Sequence, residues 1–337
     1  MKNTLSPMVL LLLLCLVAST MSWASDPCSG GQYADPNYTA VVTDPAYEHA
    51  SGPLVVVDQA HNNFHTVDGR FSTFAQLLAK DGYRVESSLG KYSRFTAAAL
   101  KHIDILVIAN AVNTVNVGKE TCMENWVLPT PSAFDKAEIA AVKQWVIEGG
   151  SLLLMADHMP FAGAAEELAD EFGITLVNGF TYPEDLSYFS EFHAEDGTLQ
   201  PHAITAGRPG KSEAVDSVTS FIGEAFLLQH GTSAQPLMIM GEGTRTYLPA
   251  NLETSLFDLP TPRAAPNIAS AGMLQGAVLN VGKGKLAMFG EAGMFSAQVS
   301  EPEGTKMGMN NPRASQNSQF VLNVMHWLSG LLIGVGS

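Results

Sequence analysis

The stretch VVVDQAHNNFHTVDGR, from Val55 to Arg70, begins as an apolar strand and then turns abruptly polar. A short continuous apolar run of this kind is typical of a strand buried on both faces of a parallel sheet. A loop needs polar residues, but this one concentrates acid, amide and imidazole groups, which bind ligands and move protons. They are Asp58, Gln59, His61, Asn62, Asn63, His65 and Asp68. The stretch therefore predicts a central strand with a functional loop at its end.

The alternation of apolar strands and helices continues along the chain. DILVIAN (104–110) and SLLLMAD (151–157) have the pattern of buried strands, and FDKAEIAAVKQWVIEGG (134–150) has that of an amphipathic helix ended by a glycine pair. Such alternation predicts β-α-β units, and right-handed crossovers place helices on both faces of the sheet. We therefore expect an α/β fold with a mainly parallel sheet.

Three further regions frame this α/β pattern. Residues 25–53 are rich in Pro, Gly and Asp and predict an extended N-terminal segment, whereas residues 54–332 predict a single α/β domain. Within that domain, residues 180–235 show little periodicity, which predicts an irregular insertion. Near the end, QGAVLNVGKGKLAMFGEAG (275–293) predicts a hairpin turning at Gly282 to Gly284, and SQFVLNVMHWLSGLL (318–332) predicts a closing helix.

The first residues have the pattern of a secretory signal peptide. Lys2 is the only charge before Asp26, the run MVLLLLLCLVA follows it, and the small-x-small motif SWA ends at Ala24. The alternative is a membrane anchor, but the run is shorter than the roughly 20 apolar residues that spanning requires. Residues 1–24 therefore predict cleavage near Ala24 and a periplasmic or secreted protein without stable membrane insertion.

The charge of the chain argues against nucleic acid as a partner. Its 18 basic and 33 acidic residues give a net charge of −15, and no Lys/Arg cluster stands out. Nucleic acids and anionic membranes attract basic surfaces, so both are poor partners for this chain. The sequence instead favours a small polar ligand.

Two cysteines, Cys28 and Cys122, remain after the predicted cleavage. In an exported protein such a pair predicts a disulfide bond, and the alternative is two free buried thiols.

The candidate site residues follow the strands, where ligands of open parallel sheets bind. The predicted ligand-binding residues are Asp58, His61, Asn62, Asn63, His65 and Asn110, and the predicted catalytic residues are Asp157, His158 and Glu291. Four separate strands thus deliver polar groups to one edge of the sheet. Each group also has a structural alternative, in which it only caps a turn or fixes turn geometry.

Metal chemistry and nucleophilic catalysis have weaker support. The N/O side chains suited to Zn²⁺ are His61, His65, Asp157, His158 and Glu291, but there is no H-E-x-x-H motif or other tight ligand spacing. The G-x-S-x-G elbow, the G-x-G-x-x-G fingerprint after the first strand and the P-loop lysine motif are also absent from the sequence. We therefore assign no cofactor, and the metal remains unknown.

Four segments carry a family resemblance: 55–85, 149–163, 289–298 and 317–332. They resemble an uncharacterised exported family among the class I glutamine amidotransferase-like domains, which have a flavodoxin-like α/β fold. The resemblance covers roughly residues 54–332 and extends to domains of gliding-motility and intraflagellar-transport proteins, for which sugar binding has been proposed. A true amidotransferase has a cysteine nucleophile in the elbow after a central strand, where this chain has Ala156-Asp157-His158. Glutamine hydrolysis is therefore not implied.

The leading functional hypothesis is an exported domain that binds a small polar ligand, such as a saccharide or a cell-envelope fragment. Asn and Asp side chains with nearby Phe64, Phe161 and Phe295 suit sugar hydroxyls and sugar faces. One alternative is a hydrolase, with or without a metal ion, in which Asp157 or Glu291 is the general base and His61 or His158 is the acid or a metal ligand. Another alternative is a non-catalytic envelope scaffold.

The first prediction concerns export. Expressed in its native host, the protein should be recovered without residues 1–24, because a signal peptidase cuts after the small residue at Ala24. The intact mass of the purified chain, expected to begin near Ser25, measures this directly. A mass that retains the first 24 residues would contradict the prediction.

Overall fold

The computed structural model describes residues 31–118, 126–249, 265–301 and 304–332. The predicted signal peptide and both cysteines of the predicted disulfide, Cys28 and Cys122, lie outside these residues, so those predictions stay open.

Five parallel strands form one half of the central sheet. They are β2 (Leu54–Val57), β3 (Arg84–Ser87), β4 (Ile105–Ala109), β5 (Ser151–Met155) and β15 (Gly284–Phe289). Their spatial order is β3-β2-β4-β5-β15, which is 2-1-3-4-5 when the five are counted along the chain. This is one of the two common orders of doubly wound sheets.

The other half of the sheet is antiparallel, which is more than the sequence patterns predict. β14 (Leu274–Val281) pairs with β15 across a tight turn in which Gly282 takes a φ of +60°. That turn confirms the predicted hairpin and reverses the direction of the sheet. β10 (Phe226–Leu228) and β11 (Gln235–Ile239) both pair with β14, and β6 (Ile174–Leu176) pairs with β10.

Helices cover both faces of the sheet, as predicted. Side chains alternate along each strand, so that Val55 and Val107 join one apolar cluster whereas Val56 and Leu106 join another. The first cluster packs under α1 (Ser72–Lys80) and α6 (Asn317–Leu328), and the second under α2 (Ala97–Leu100), α3 (Lys136–Glu148) and α4 (Phe161–Asp170).

The sequence between α4 and β14 is more regular than predicted. It contains the short helix α5 (Ala203–Ala206), and its further strands are β7 (Phe180–Pro183), β8 (Ser190–His193), β9 (Ser217–Ser220), β12 (Thr244–Tyr247) and β13 (Asn267–Ala269). β7, β12 and β13 form one small sheet, and β8 and β9 form another. Strands of three or four residues are too short for their alternation to stand out in a sequence.

The N-terminal segment is also fixed to the domain. β1 (Gln32–Ala34) pairs with β16 (Ala297–Ser300), which in turn pairs with β17 (Thr305–Gly308). Further along the segment, the Lys80 side chain donates a hydrogen bond to the Ala40 carbonyl. The segment therefore packs over the face that carries α1.

Gly82 offers a test of this packing. Its φ is +93°, and a Cβ there would lie 2.4 Å from the Tyr47 carbonyl oxygen in the N-terminal segment. Gly90 has a similar φ of +81°, but a Cβ there would meet nothing within 4 Å. Gly90→Ala should therefore lower the free energy of unfolding by about 1–2 kcal/mol through backbone strain alone. Gly82→Ala should lower it clearly more, and urea unfolding measures both changes. Equal losses would show that the segment does not pack against this turn.

Candidate functional site

The loop after β2 is organised around the buried carboxylate of Asp58. One oxygen accepts hydrogen bonds from the Ser88 hydroxyl at 2.9 Å and from the Ala60 amide at 3.1 Å. The other is 2.9 Å from His61 Nδ1 and 2.5 Å from the Asn63 carboxamide nitrogen. Asp58 itself is fully buried. Its carboxylate therefore holds together the polar loop that the sequence places after the strand.

His61 bridges Asp58 to the N-terminal turn of α3. Its Nε2 lies 3.2 Å from Glu138 Oε1, and its ring packs between Phe95 and Phe134, with centroids 4.4 and 4.9 Å away. Burial by itself lowers the pKa of His61, but the hydrogen bond and charge of Asp58 and the charge of Glu138 outweigh it and raise the pKa above its usual value. Since both ring nitrogens face carboxylates, His61 serves as a positively charged link.

The two asparagines that follow fasten the loop to β4. Asn63 is buried, and its side-chain oxygen accepts the Ala109 amide at 2.8 Å. Asn62 has a φ of +53°, a conformation that asparagine tolerates better than most residues, and donates to the Val112 carbonyl at 3.2 Å. These contacts agree with the alternative in which the asparagines supply turn geometry.

A second network joins β4 to β5. Asn110, at φ +60°, accepts the Asp157 amide at 2.9 Å through its side-chain oxygen, and its nitrogen lies 3.4 Å from the Asp157 carboxylate. The same nitrogen is 3.3 Å from Nδ1 of the buried His65, whose Nε2 is 3.3 Å from the Gln298 amide nitrogen. Burial, with the nearby charge of Arg70, holds the pKa of His65 well below its usual value, so this imidazole is neutral.

Glu291 lies at the same edge but below the surface. It is 1% exposed, and its carboxylate accepts the amides of Gly293 and of Met294, the latter at 2.7 Å. Burial and the charge of Asp157 raise its pKa well above the usual range, against a smaller lowering by those amides. Glu291 therefore holds the short turn after β15 through these two amides, and its catalytic role stays a prediction.

Glu224 is a buried acid that the sequence interpretation missed. It precedes β10 and is fully buried, and within the described ranges neither carboxylate oxygen has a hydrogen-bond partner of normal geometry. Burial raises its pKa well above the usual range, and the charges of Asp157 and Glu166 add to the effect against a lowering by the Val177 backbone. The signal available was a single acid inside the apolar run FIGEAFLL, 221–228.

Exposure separates the nine predicted site residues into two groups. Seven are buried, and most of them hydrogen-bond to one another, whereas only Asn62 and His158 are partly exposed. His158 follows Asp157 at the end of β5, and its ring stacks on Phe180 with centroids 4.7 Å apart. The structure thus places all nine at the carboxyl edge of the sheet, but as two buried networks rather than one open cluster.

A polar cavity of about 330 Å³ lies beside the first network. It sits at the switch point between β2 and β4, where the chain turns to opposite sides of the sheet and where doubly wound folds bind ligands. The predicted residues His61 and Asn62 line it. The sequence interpretation missed the other polar residues of its wall, which are Ser93, Arg94, Asn113, Thr114, Ser132, Asp135 and Glu138.

Arg94 is the most exposed cation of this wall. Its side chain is 67% exposed and bridges Asp135 at 2.5 Å and Glu138 at 3.1 Å. Asp135 also caps α3 by accepting the Ala137 and Glu138 amides. In the sequence, these residues lie at the boundaries of predicted helices. No sequence pattern at such a boundary distinguishes a residue that lines a cavity from one that caps a helix.

A larger cavity of about 500 Å³ lies at the opposite, amino edge of the strands. Pro53, Lys101, Asp104 and Ser151 are among its lining residues. None of the predicted site residues reaches it. Since ligands of open α/β sheets bind at the carboxyl edge, the smaller cavity is the better candidate.

The aromatic residues expected to stack on a sugar are mostly unavailable. Phe295 is fully buried in the core and Phe161 is 2% exposed. The guanidinium of Arg70 lies 3.6 Å above the ring of Phe64. A ligand in the cavity would therefore be held by hydrogen bonds rather than by stacking on these rings.

Metal binding gains no support from the side-chain geometry. Within the described part of the chain, no three His, Cys, Asp or Glu residues are placed to share a metal ion.

Among the residues that the structure describes, no helix combines the length and apolar character needed to cross a bilayer.

Comparison by sequence finds no relative, since neither a known protein family nor a curated protein matches the chain. Solved structures do match. The mmIFT52 N-terminal domain aligns with a TM-score of 0.53 and 15% identity over 82% of this chain and 97% of that one. A thuA-like protein of Bacteroides uniformis aligns with a TM-score of 0.43 and 12% identity over 85% of this chain and 95% of that one. STM1381, a cytoplasmic protein of Salmonella typhimurium, aligns with a TM-score of 0.43 and 12% identity over 82% of this chain and 98% of that one. The match to mmIFT52 shows a shared fold, in line with the resemblance to domains of that type.

Glu224 makes a testable contribution to the pH dependence of stability. Because its pKa is raised above 4.5 in the folded state, the folded protein holds this proton more tightly than the unfolded chain. The free energy of unfolding should therefore fall as pH rises from about 4.5 toward the folded pKa. Glu224→Gln removes this loss, so its stability relative to wild type should rise by at least about 1 kcal/mol between pH 4.5 and pH 8.

Urea unfolding at several pH values measures this difference. Glu195→Gln, in an exposed turn, is the control and should follow the wild-type pH dependence. A constant difference between Glu224→Gln and wild type would show that Glu224 ionises alike in both states.

Proposed function

We propose that this protein is an exported, flavodoxin-like domain of the amidotransferase-like type that binds a small hydroxylated ligand, of the saccharide class, in the cavity between β2 and β4. The observation that carries the proposal is the position of that cavity. The cavity lies at the switch point of a 2-1-3-4-5 sheet. Its wall includes the loop that follows β2, which is strand 1 in that numbering.

The size and lining of the cavity favour a small polar molecule. Its volume of about 330 Å³ falls at the lower end of the range of ligand pockets, which begins near 300 Å³. Carboxamides, hydroxyls, carboxylates and one guanidinium line it, and this mixture both donates and accepts hydrogen bonds, as vicinal hydroxyls require. The positive charges of Arg94 and His61 face the carboxylates of Asp135 and Glu138, so the lining does not select for a highly charged ligand.

The wall is also held in place before a ligand arrives. Asp58 fixes His61, Asn113 donates to the Ser132 carbonyl at 2.7 Å, and Asp135 is held by the α3 amides that it caps. Preorganised polar groups lose little conformational entropy on binding, which favours specific recognition of a small ligand. The absence of a cysteine at Ala156-Asp157-His158 supports binding rather than glutamine hydrolysis.

Thermal unfolding in the presence of a panel of monosaccharides and disaccharides tests the proposal. A ligand at a hundredfold excess over its Kd should stabilise the folded protein by about 2.7 kcal/mol. Arg94→Met keeps the aliphatic stem but loses the guanidinium, so it should weaken binding at least about tenfold, as expected for a hydrogen bond from a charged group.

Lys101→Met is the matched control, because Lys101 lines the cavity at the opposite edge of the sheet. This variant should retain the full ligand-induced shift. If no sugar of the panel shifts the unfolding temperature, or if Lys101→Met alone removes the shift, the proposed site is wrong.

A further inference from the structure

His61, which lines the ligand cavity, contacts a carboxylate on each side of its ring. Its Nδ1 lies 2.9 Å from an oxygen of Asp58, and its Nε2 lies 3.2 Å from Oε1 of Glu138. An ionised carboxylate only accepts hydrogen bonds, so both contacts are favourable only while both ring nitrogens carry hydrogen. The geometry of the cavity wall therefore requires the imidazolium form of His61, which has one proton more than the neutral ring.

The two carboxylates are not held equally firmly. Asp58 is fully buried and accepts three further hydrogen bonds, and its contacts measure 2.5 to 3.1 Å. Glu138 lies on the cavity wall, and its contacts are longer, at 3.1 to 3.3 Å. When His61 loses a proton, the hydrogen that remains therefore stays on Nδ1, against Asp58. Glu138 then faces the lone pair of Nε2.

Arg94 shares the Glu138 oxygen that His61 contacts. Its Nε lies 3.1 Å from Oε1 of Glu138, and its Nη2 pairs with Asp135, which caps α3. The guanidinium is largely exposed and forms the exposed cationic part of the cavity wall. A lone pair on Nε2 repels the shared oxygen, so the Glu138 carboxylate turns away from the ring. Arg94 then loses the position that it has in the structure.

The charges around His61 set the pH at which this change occurs. Asp58 faces the ring from its own loop and Glu138 faces it from α3, whereas Arg94 contacts Glu138 from the loop after β3. Burial lowers the pKa of His61, but the hydrogen bond and charge of Asp58 and the charge of Glu138 raise it above 6.5. The proton is therefore present below about pH 6.5 and is lost as the pH rises through the folded pKa.

We propose that His61 is a positioning residue for the ligand cavity, whose protonated ring places Arg94, through Glu138, where the guanidinium binds the ligand. Loss of the proton moves Arg94 and weakens binding. A preorganised donor loses little entropy on binding, so the arrangement in the structure is the binding form. The control of binding rests on the proposed function, whereas the movement of Arg94 stands on the contacts of His61 alone.

Nitrogen-15 NMR of the purified protein tests the movement of Arg94 without a ligand. Between about pH 6 and pH 9, His61 should change from two protonated ring nitrogens to one, and the Arg94 Nε–H signal should shift over the same range. In Glu138→Gln, the carboxamide nitrogen can donate to the Nε2 lone pair, and Gln preserves the capping box of α3. The Arg94 signal of this variant should therefore stay constant while His61 loses its proton.

The pH profile of sugar binding tests the control of affinity. The probe is the monosaccharide or disaccharide that raises the unfolding temperature of the wild-type protein most at pH 6. Its affinity should fall by up to about tenfold for each pH unit above the folded pKa, since one proton is lost. His61→Gln should bind this sugar weakly and equally at every pH. His230→Gln, which changes a histidine on an exposed turn, should keep the wild-type profile.

The two measurements separate this inference from the proposed function. An Arg94 signal that does not follow the titration of His61 overturns the inference, as does a His61→Gln variant that keeps the wild-type pH profile of binding. Sugar affinity that stays constant while His61 titrates overturns the control of binding. If no sugar binds at any pH but Arg94 still follows His61, the proposed function is wrong and the positioning of Arg94 by His61 is confirmed.

Discussion

The strand-end site depends on the buried carboxylate of Asp58. It accepts hydrogen bonds from a backbone amide, a hydroxyl and a carboxamide, and it pairs with the imidazole of His61. Hydrogen bonds to a charged acceptor are among the stronger ones, and their loss would leave several buried donors without a partner. The concentration of polar residues after the first strand therefore has a structural cause. These residues form a scaffold, and the surface that the scaffold supports is the wall of the ligand cavity.

Much of the fold could be predicted from the sequence, because its signals are local. The apolar runs at 54–57, 105–109 and 151–155 and the Gly282 turn each specify an element on their own. The antiparallel half of the sheet was harder to predict, because it depends on which distant strand β14 pairs with. Periodicity identifies a strand but not its neighbours.

The candidate site was predictable in its position but not in its exposure. The rule that ligands bind at the carboxyl ends of strands placed Asp157 and Glu291 at the correct edge. However, burial depends on the elements that pack above that edge, and the sequence does not show them. Arg94 and Asn113 line the cavity from loops without a distinctive motif, so only the assembled structure reveals them.

The pairing of β15 with β5 has a consequence for the synthesis of this protein. The register aligns Lys285 with Ser151, so the two neighbouring strands are separated by more than 130 residues of chain. When β5 leaves the ribosome, its partner on that side has not yet been made. The apolar edge SLLLM then lacks a neighbour while the chain through β14 is translated, which takes roughly 7–25 seconds at 5–20 residues per second. An unpaired apolar edge is a site of aggregation. The edge of β5 is therefore exposed to wrong pairing until the β14–β15 hairpin emerges and completes the sheet.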